Sequence, residues 1–180
     1  MVHPDHPARA NIEYLEQGVA LIDRLADGLY AAPPPGPYPG GVGAQFRHCL
    51  DFYDCFLRDL PTGRIDYGRR SRDARIETDR AHAKTKARAI CSALRGLDRE
   101  GVERTLEVRA EEADPGRLEW SGSSAGRELQ FLISHTIHHY ALIAVLLAAQ
   151  GYDVSREFPE LGVAPSTLEH WNGAHSRTGR

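Results

Sequence analysis

Three histidines fall within five positions, His135, His138 and His139, in the segment Ser134-His135-Thr136-Ile137-His138-His139-Tyr140. Neutral imidazole is a metal ligand and a proton carrier near physiological pH. On a helix, residues four apart project from nearly the same direction, one turn or ~6 Å apart along the axis. His135 and His139 so placed form a two-nitrogen pincer, a common way for a helix to hold a transition metal. A lone helical histidine is more often a packing residue with satisfied hydrogen bonds. Here leucine, isoleucine and alanine flank the rings, and burying so many polar groups is costly unless something partners them. A metal is such a partner, and its third protein ligand has to come from elsewhere in the chain.

The segment belongs to an apolar run, Leu129 to Ala149, with no proline or glycine before Gly151. It reads as one buried helix, capped by Ser123 or Ser124 and ending near Gln150. A first helix is expected from a cap at Asn11 to about Leu29, with Ile12, Leu15, Val19, Ile22 and Leu25 on one face. The Pro/Gly-rich run 32–41 has few backbone donors and reads as a connector. A second helix is expected over Val42 to Leu60, closed by Pro61-Thr62-Gly63, with Phe46, Leu50, Tyr53 and Leu57 inward. Residues 61–76 lack periodicity and read as a loop. Some fifteen residues stretch ~45–50 Å against the ~30 Å of a nineteen-residue helix, so helices two and three can run parallel. A third helix is expected over Glu77 to Leu97, with a small-residue stripe at Ala81, Thr85, Ala89 and Ala93. Between helices three and four, Leu106, Val108 and Ala110, then Leu118 and Trp120, alternate with polar residues around Ala113-Asp114-Pro115-Gly116. That is a β-hairpin pattern. After Gly151 the tail reads as extended and docked, with a short helical turn begun at Ser166, and 172–180 as mobile.

The 180 residues suit a single domain, with core 11–150 and a tail 151–180 packed on it. A net charge of −3 gives no electrostatic footprint for nucleic acid. No apolar stretch runs the ~20 residues free of polar groups that a bilayer span needs. Three widely spaced cysteines and a polar N-terminus predict reduced thiols and a cytoplasmic protein.

An all-α bundle builds its sites from facing helices. His48, among aromatic and aliphatic neighbours on helix two, is the best third ligand. His82 is an alternative, while His3, His6, His170 and His175 lie in the leader or the tail. His138 stands about 100° round the helix from His139 and is expected to pack beside the ligands. Three neutral nitrogens on a divalent ion leave a coordination position open for water or a thiolate. Asp51 and Glu128 are candidates to orient the imidazoles from outside. The loop arginines Arg64, Arg69, Arg70, Arg72 and Arg75 are expected to be solvated and paired with Asp66, Asp73 and Glu77. Cys55 lies in an apolar stretch and reads as inert. No nucleophile elbow, His-Glu-x-x-His, P-loop or dinucleotide fingerprint is present.

His48, the pair His135-x-x-x-His139, the long second connection and the lead-in Gly126-Arg127-Glu128-Leu129-Gln130-Phe131 together resemble the DinB-like superfamily over residues 11–150. The resemblance extends to its YfiT-type metal-dependent hydrolases and thiol transferases. It implies an up-down-down-up four-helix bundle, often a homodimer, holding zinc, nickel or iron on His48, His135 and His139. It also implies a small-molecule substrate and a low-molecular-weight thiol as co-substrate, with Tyr140 or loop arginines positioning the substrate. The activities implied are thiol transfer to an electrophile, hydrolysis, or metal binding alone in a stress-response role. Frequent members carry Arg-Gly-Gln after the last histidine, where this chain has Tyr140-Ala141-Leu142. Ergothioneine-forming relatives place Glu where Ala141 stands, so that chemistry is not expected here.

Overall fold

A computed structural model describes residues 6–33, 40–109 and 120–170. The protein is mostly helical, with a small three-stranded mixed sheet. The helices are α1 (Arg9–Arg24), α2 (Asp27–Ala31), α3 (Val42–Asp59), α4 (Arg75–Thr78), α5 (Arg80–Arg95), α6 (Arg99–Glu103) and α7 (Ala125–Ala149). The four long ones pack in a cycle, α1 against α5 and α7, and α3 against α5 and α7. One apolar cluster joins them, from Ala8 through Ile12, Phe46, Tyr53 and Leu132 to Leu161.

Each long helix buries the face its apolar spacing dictates, with one exception. Ile12, Leu15 and Ile22 are buried on α1, and Phe46, Leu50 and Tyr53 on α3. On α5 the inward residues are Ala83, Ala87, Ile90, Cys91 and Leu94. The expected stripe of Ala81, Thr85, Ala89 and Ala93 faces solvent instead. Both stripes fit a helical period, and the one continuous with Ile90 and Leu94 wins because it buries more apolar area.

Several boundaries differ from expectation for identifiable reasons. Asn11 does not cap the first helix. It lies inside α1 and is buried, its Nδ2 donating to Tyr53 Oη (3.0 Å) and to the Leu129 carbonyl (2.9 Å). The first helix stops at Arg24, and α2 is separate from it. The third helix starts at Arg80, because Asp79 is extended and its side chain caps the turn by accepting from His82 N. Arg75–Thr78, the last two residues of the expected loop and the first two of the expected third helix, form a separate α4.

The loop 61–76 also contributes a strand. β1 (Arg64–Asp66) pairs parallel with β2 (Thr105–Arg109), which pairs antiparallel with β3 (Ser121–Ser124). The expected hairpin therefore gains a third strand, and the chain is not purely helical. Ile65, wholly buried between polar neighbours, fixes β1 against the core. β3 lies beyond Trp120, in a Ser/Gly sequence of low strand propensity. It is held by its position: Thr105 pairs with Ser124, and Ala125 N donates to the Arg104 carbonyl (2.9 Å), which fixes where α7 begins. Ser124 then caps α7 by accepting from Arg127 N. The expected turn 113–116, Leu118, most of the connector and 172–180 lie outside the described residues.

By length and composition α7 is long enough and apolar enough to cross a membrane, contrary to the reading of its polar interruptions. In the fold it packs against α1 and α3, as an apolar core helix does. The tail is docked but turned rather than extended. Gly162 has φ +72°, and a Cβ there would stand 2.3 Å from Ala141 N, so only glycine lets the tail lie against α7. The last helical turn spans 165–170, which places Ser166 inside it rather than at its cap.

Candidate metal centre

α3 and α7 pack face to face, and their contact brings His48 opposite His135 and His139. One nitrogen from each ring lies within 4.8 Å of one from each of the others. Ring centroids are 4.9 Å apart for His48–His135, 4.6 Å for His48–His139 and 4.5 Å for His135–His139. All three rings are half-buried.

The electrostatics suit a cation. Burial first, then the neighbouring imidazoles and Arg70, hold His135 at about 4. Burial first, then the other three histidines, hold His139 at about 3. Both rings are therefore neutral at pH 7, as ligation requires. His139 Nδ1 lies 2.6 Å from Gln45 Oε1. The amide oxygen accepts the Nδ1 proton, which leaves the Nε2 lone pair free. His135 Nε2 is buried and has no hydrogen-bond partner among the described residues. A buried, unpartnered nitrogen beside two others is costly as it stands and fits a metal ligand. The donor set, three neutral imidazoles, suits zinc, nickel or iron.

An aromatic wall closes one side. Phe52 packs against His135 (4.4 Å) and His48 (5.0 Å), and Phe131 stacks on His135 (5.5 Å, 24° between planes). Tyr67 touches both Phe52 (5.1 Å) and Phe131 (5.6 Å). The guanidinium of Arg70 lies 4.0 Å over the Phe52 ring.

The remaining sequence candidates are placed differently. His138 is exposed, its ring edge-on to His139 at 5.1 Å. Tyr140 is buried and turned towards α1, where its hydroxyl donates to the Tyr14 carbonyl (2.9 Å). The absent side chain of Gly18 makes room for that hydroxyl, since a Cβ there would stand 2.0 Å from it. Tyr140 is thus a packing residue in this fold. Glu128 accepts from Tyr67 Oη (2.9 Å) and Ser123 Oγ (2.6 Å). Asp51 accepts from Ser71 Oγ (3.0 Å) and Asp73 N (3.4 Å), and burial raises its pKa. Both carboxylates hold the segment 67–73, Glu128 through Tyr67 and Asp51 through Ser71 and Asp73, and Glu128 also ties β3 through Ser123. His82 is turned to Asp73 (2.7 Å), at the far end of the same loop. Cys55 is buried, and burial pushes its thiol up to about 12. Its Sγ donates to the Asp66 carbonyl (3.2 Å), so it is inert as expected.

Gln45 and Tyr67 escaped the sequence reading. Gln45 stands three residues before His48, on the same helical face, and that spacing was the available signal. No pattern in a loop announces that Tyr67 turns inward.

No family model matches the chain. A protein described as FK506-binding protein 5, from Rhizopus delemar, is similar to it, 32% identical over 108 residues. The match takes in 59% of this chain but 27% of the relative, so it assigns neither a family nor an activity.

Proposed function

We propose that the chain is a DinB-like metal-dependent protein and a transferase that joins a low-molecular-weight thiol to an electrophilic small molecule. In this reading α1, α3, α5 and α7 form an up-down-down-up bundle, with the loop 60–74 crossing between α3 and α5. His48, His135 and His139 hold a divalent ion, zinc foremost, with one position left for a guest. The observation that carries the reading is the convergence of the three imidazoles around the unpartnered Nε2 of His135.

When bound, the ion supplies Lewis acidity at its remaining position, which lowers the pKa of a thiol held there. The chain's own residues do the rest. Gln45 keeps the Nδ1 proton on His139 and so fixes the ring's orientation. Phe52, Phe131 and Tyr67 exclude water from the side of His135 and lower the local dielectric. His138 stands exposed beside His139, edge-on to its ring.

The test is turnover by the metal-loaded protein of a model electrophile, such as 1-chloro-2,4-dinitrobenzene, with a panel of small thiols. We expect thiol-dependent turnover that His139→Ala abolishes. Turnover of esters without thiol would point to a hydrolase. Full metal loading with neither activity would leave a non-catalytic metal binder.

A further inference from the structure

Three polar side chains meet in the core, one from each of three long helices. Asn11 of α1, Tyr53 of α3 and Thr136 of α7 are 3%, 0% and 0% exposed. Asn11 Nδ2 donates to Tyr53 Oη (3.0 Å) and to the Leu129 carbonyl (2.9 Å), and so joins α1 to α3 and α7 at once. Tyr53 Oη lies 3.4 Å from Thr136 Oγ1, which donates to the Leu132 carbonyl one turn back (2.8 Å). The cluster around them is apolar, with Ile12, Leu50 and Leu132 among its members.

Stability alone gives no reason for this network. Burying hydroxyls and amides costs free energy that their hydrogen bonds offset, and apolar groups of the same shape serve a core as well. What the network adds is direction. Apolar packing is non-directional and tolerates repacking, whereas a hydrogen bond fixes both distance and angle. The network crosses the same α3–α7 contact as the imidazoles. Thr136 follows His135 on α7, and Tyr53 follows Phe52, the ring packed on both His135 and His48. Nitrogens that share one ion have to stand within about 0.2 Å of their bonding distances. We infer that Asn11, Tyr53 and Thr136 are positioning residues for the three-histidine centre, holding α7 at the rotation and level against α3 at which His135 and His139 meet His48. The inference rests on the metal reading and assigns the precision of that centre to a polar network in the core.

Cobalt(II) is the probe ion in the full chain, with affinity read by chelator competition and geometry by the visible d–d bands. In the triple variant Asn11→Leu/Tyr53→Phe/Thr136→Val, apolar groups replace the whole network at once, so that no hydroxyl or amide is stranded. We expect its urea midpoint to match or exceed the parent's. Cobalt should bind at least about tenfold more weakly, as when a partner that orients a ligand is lost, and the d–d bands should lose their parent position and intensity. Two single variants make the test independent of whether the triple variant folds. Thr136→Val should weaken cobalt binding at an unchanged midpoint. Thr136→Ser, which keeps the hydroxyl and loses a methyl, should lower the midpoint and keep the parent's affinity and bands. Parent affinity and bands in the triple variant or in Thr136→Val would overturn the inference, as would affinities that merely follow the midpoints through the series. A parent chain that takes up no cobalt sinks the metal reading and the inference with it, a result distinct from equal binding.

Discussion

To hold an ion, each of the three imidazoles has to meet it neutral and correctly turned, and for His139 the second requirement would fall to Gln45. Replacing Gln45 by Leu removes the acceptor of the Nδ1 proton. It should weaken metal affinity about 10–100-fold, measured by competition with a chromophoric chelator. His138→Ala, which removes an exposed neighbour, should leave that affinity unchanged. The neutral state has a consequence for pH. The folded values of His135 and His139, about 4 and 3, lie below the ordinary histidine value of ~6.5. The unfolded chain therefore takes up protons that the folded chain refuses. Stability of the metal-free protein is full above ~6.5 and declines as the pH falls through that value towards the folded ones. Urea unfolding at pH 7 and pH 5, above the range where carboxylates titrate, should show a lower midpoint at pH 5. An unchanged midpoint would mean that the rings are not desolvated. The three-histidine cluster was legible in the sequence because His135 and His139 share a helical face and His48 lies on a face dense with aromatics. Gln45 was not, since an amide gains its meaning only from the ring opposite it.

At the scale of the element, the segment 67–73 links the sheet to α3, α5 and α7. Glu128 and Asp51 were expected to orient imidazoles, and in the structure they fasten this segment. The two roles separate experimentally. Glu128→Ala leaves the hydroxyls of Tyr67 and Ser123 without their acceptor, and a buried group so stranded costs about 1–3 kcal/mol. Chemical denaturation should show that loss, while metal affinity stays within about twofold, well inside the 10–100-fold expected of an orienting partner. A large drop in affinity with little change in stability would restore the orienting role. The two carboxylates were recognisable as buried charges near the site, but their partners sit in a stretch without periodicity. Propensity says nothing of where such a stretch folds back. β1 was missed for the same reason: three residues with one apolar side chain, Ile65, give no alternation to detect.

For the molecule as a whole, four long helices pack in a cycle around one apolar cluster, and the imidazoles meet where α3 and α7 face each other. That much follows from the helical spacing of Ile12, Phe46, Leu50 and Leu132 and their neighbours. The choice between the two stripes of α5 was settled only by packing. An ion that binds the folded chain alone adds to its stability by mass action, about 2.7 kcal/mol at a free concentration a hundred times the Kd. The melting temperature should therefore rise with added zinc and return on chelation. The most direct test of the three-imidazole centre is metal analysis of the purified full chain beside His48→Ala, His135→Ala and His139→Ala, each checked for helical content. One ion per chain, lost or weakened by orders of magnitude in every variant, is the expected result. A chain that takes up no divalent ion, or variants that load as well as the parent, would contradict it.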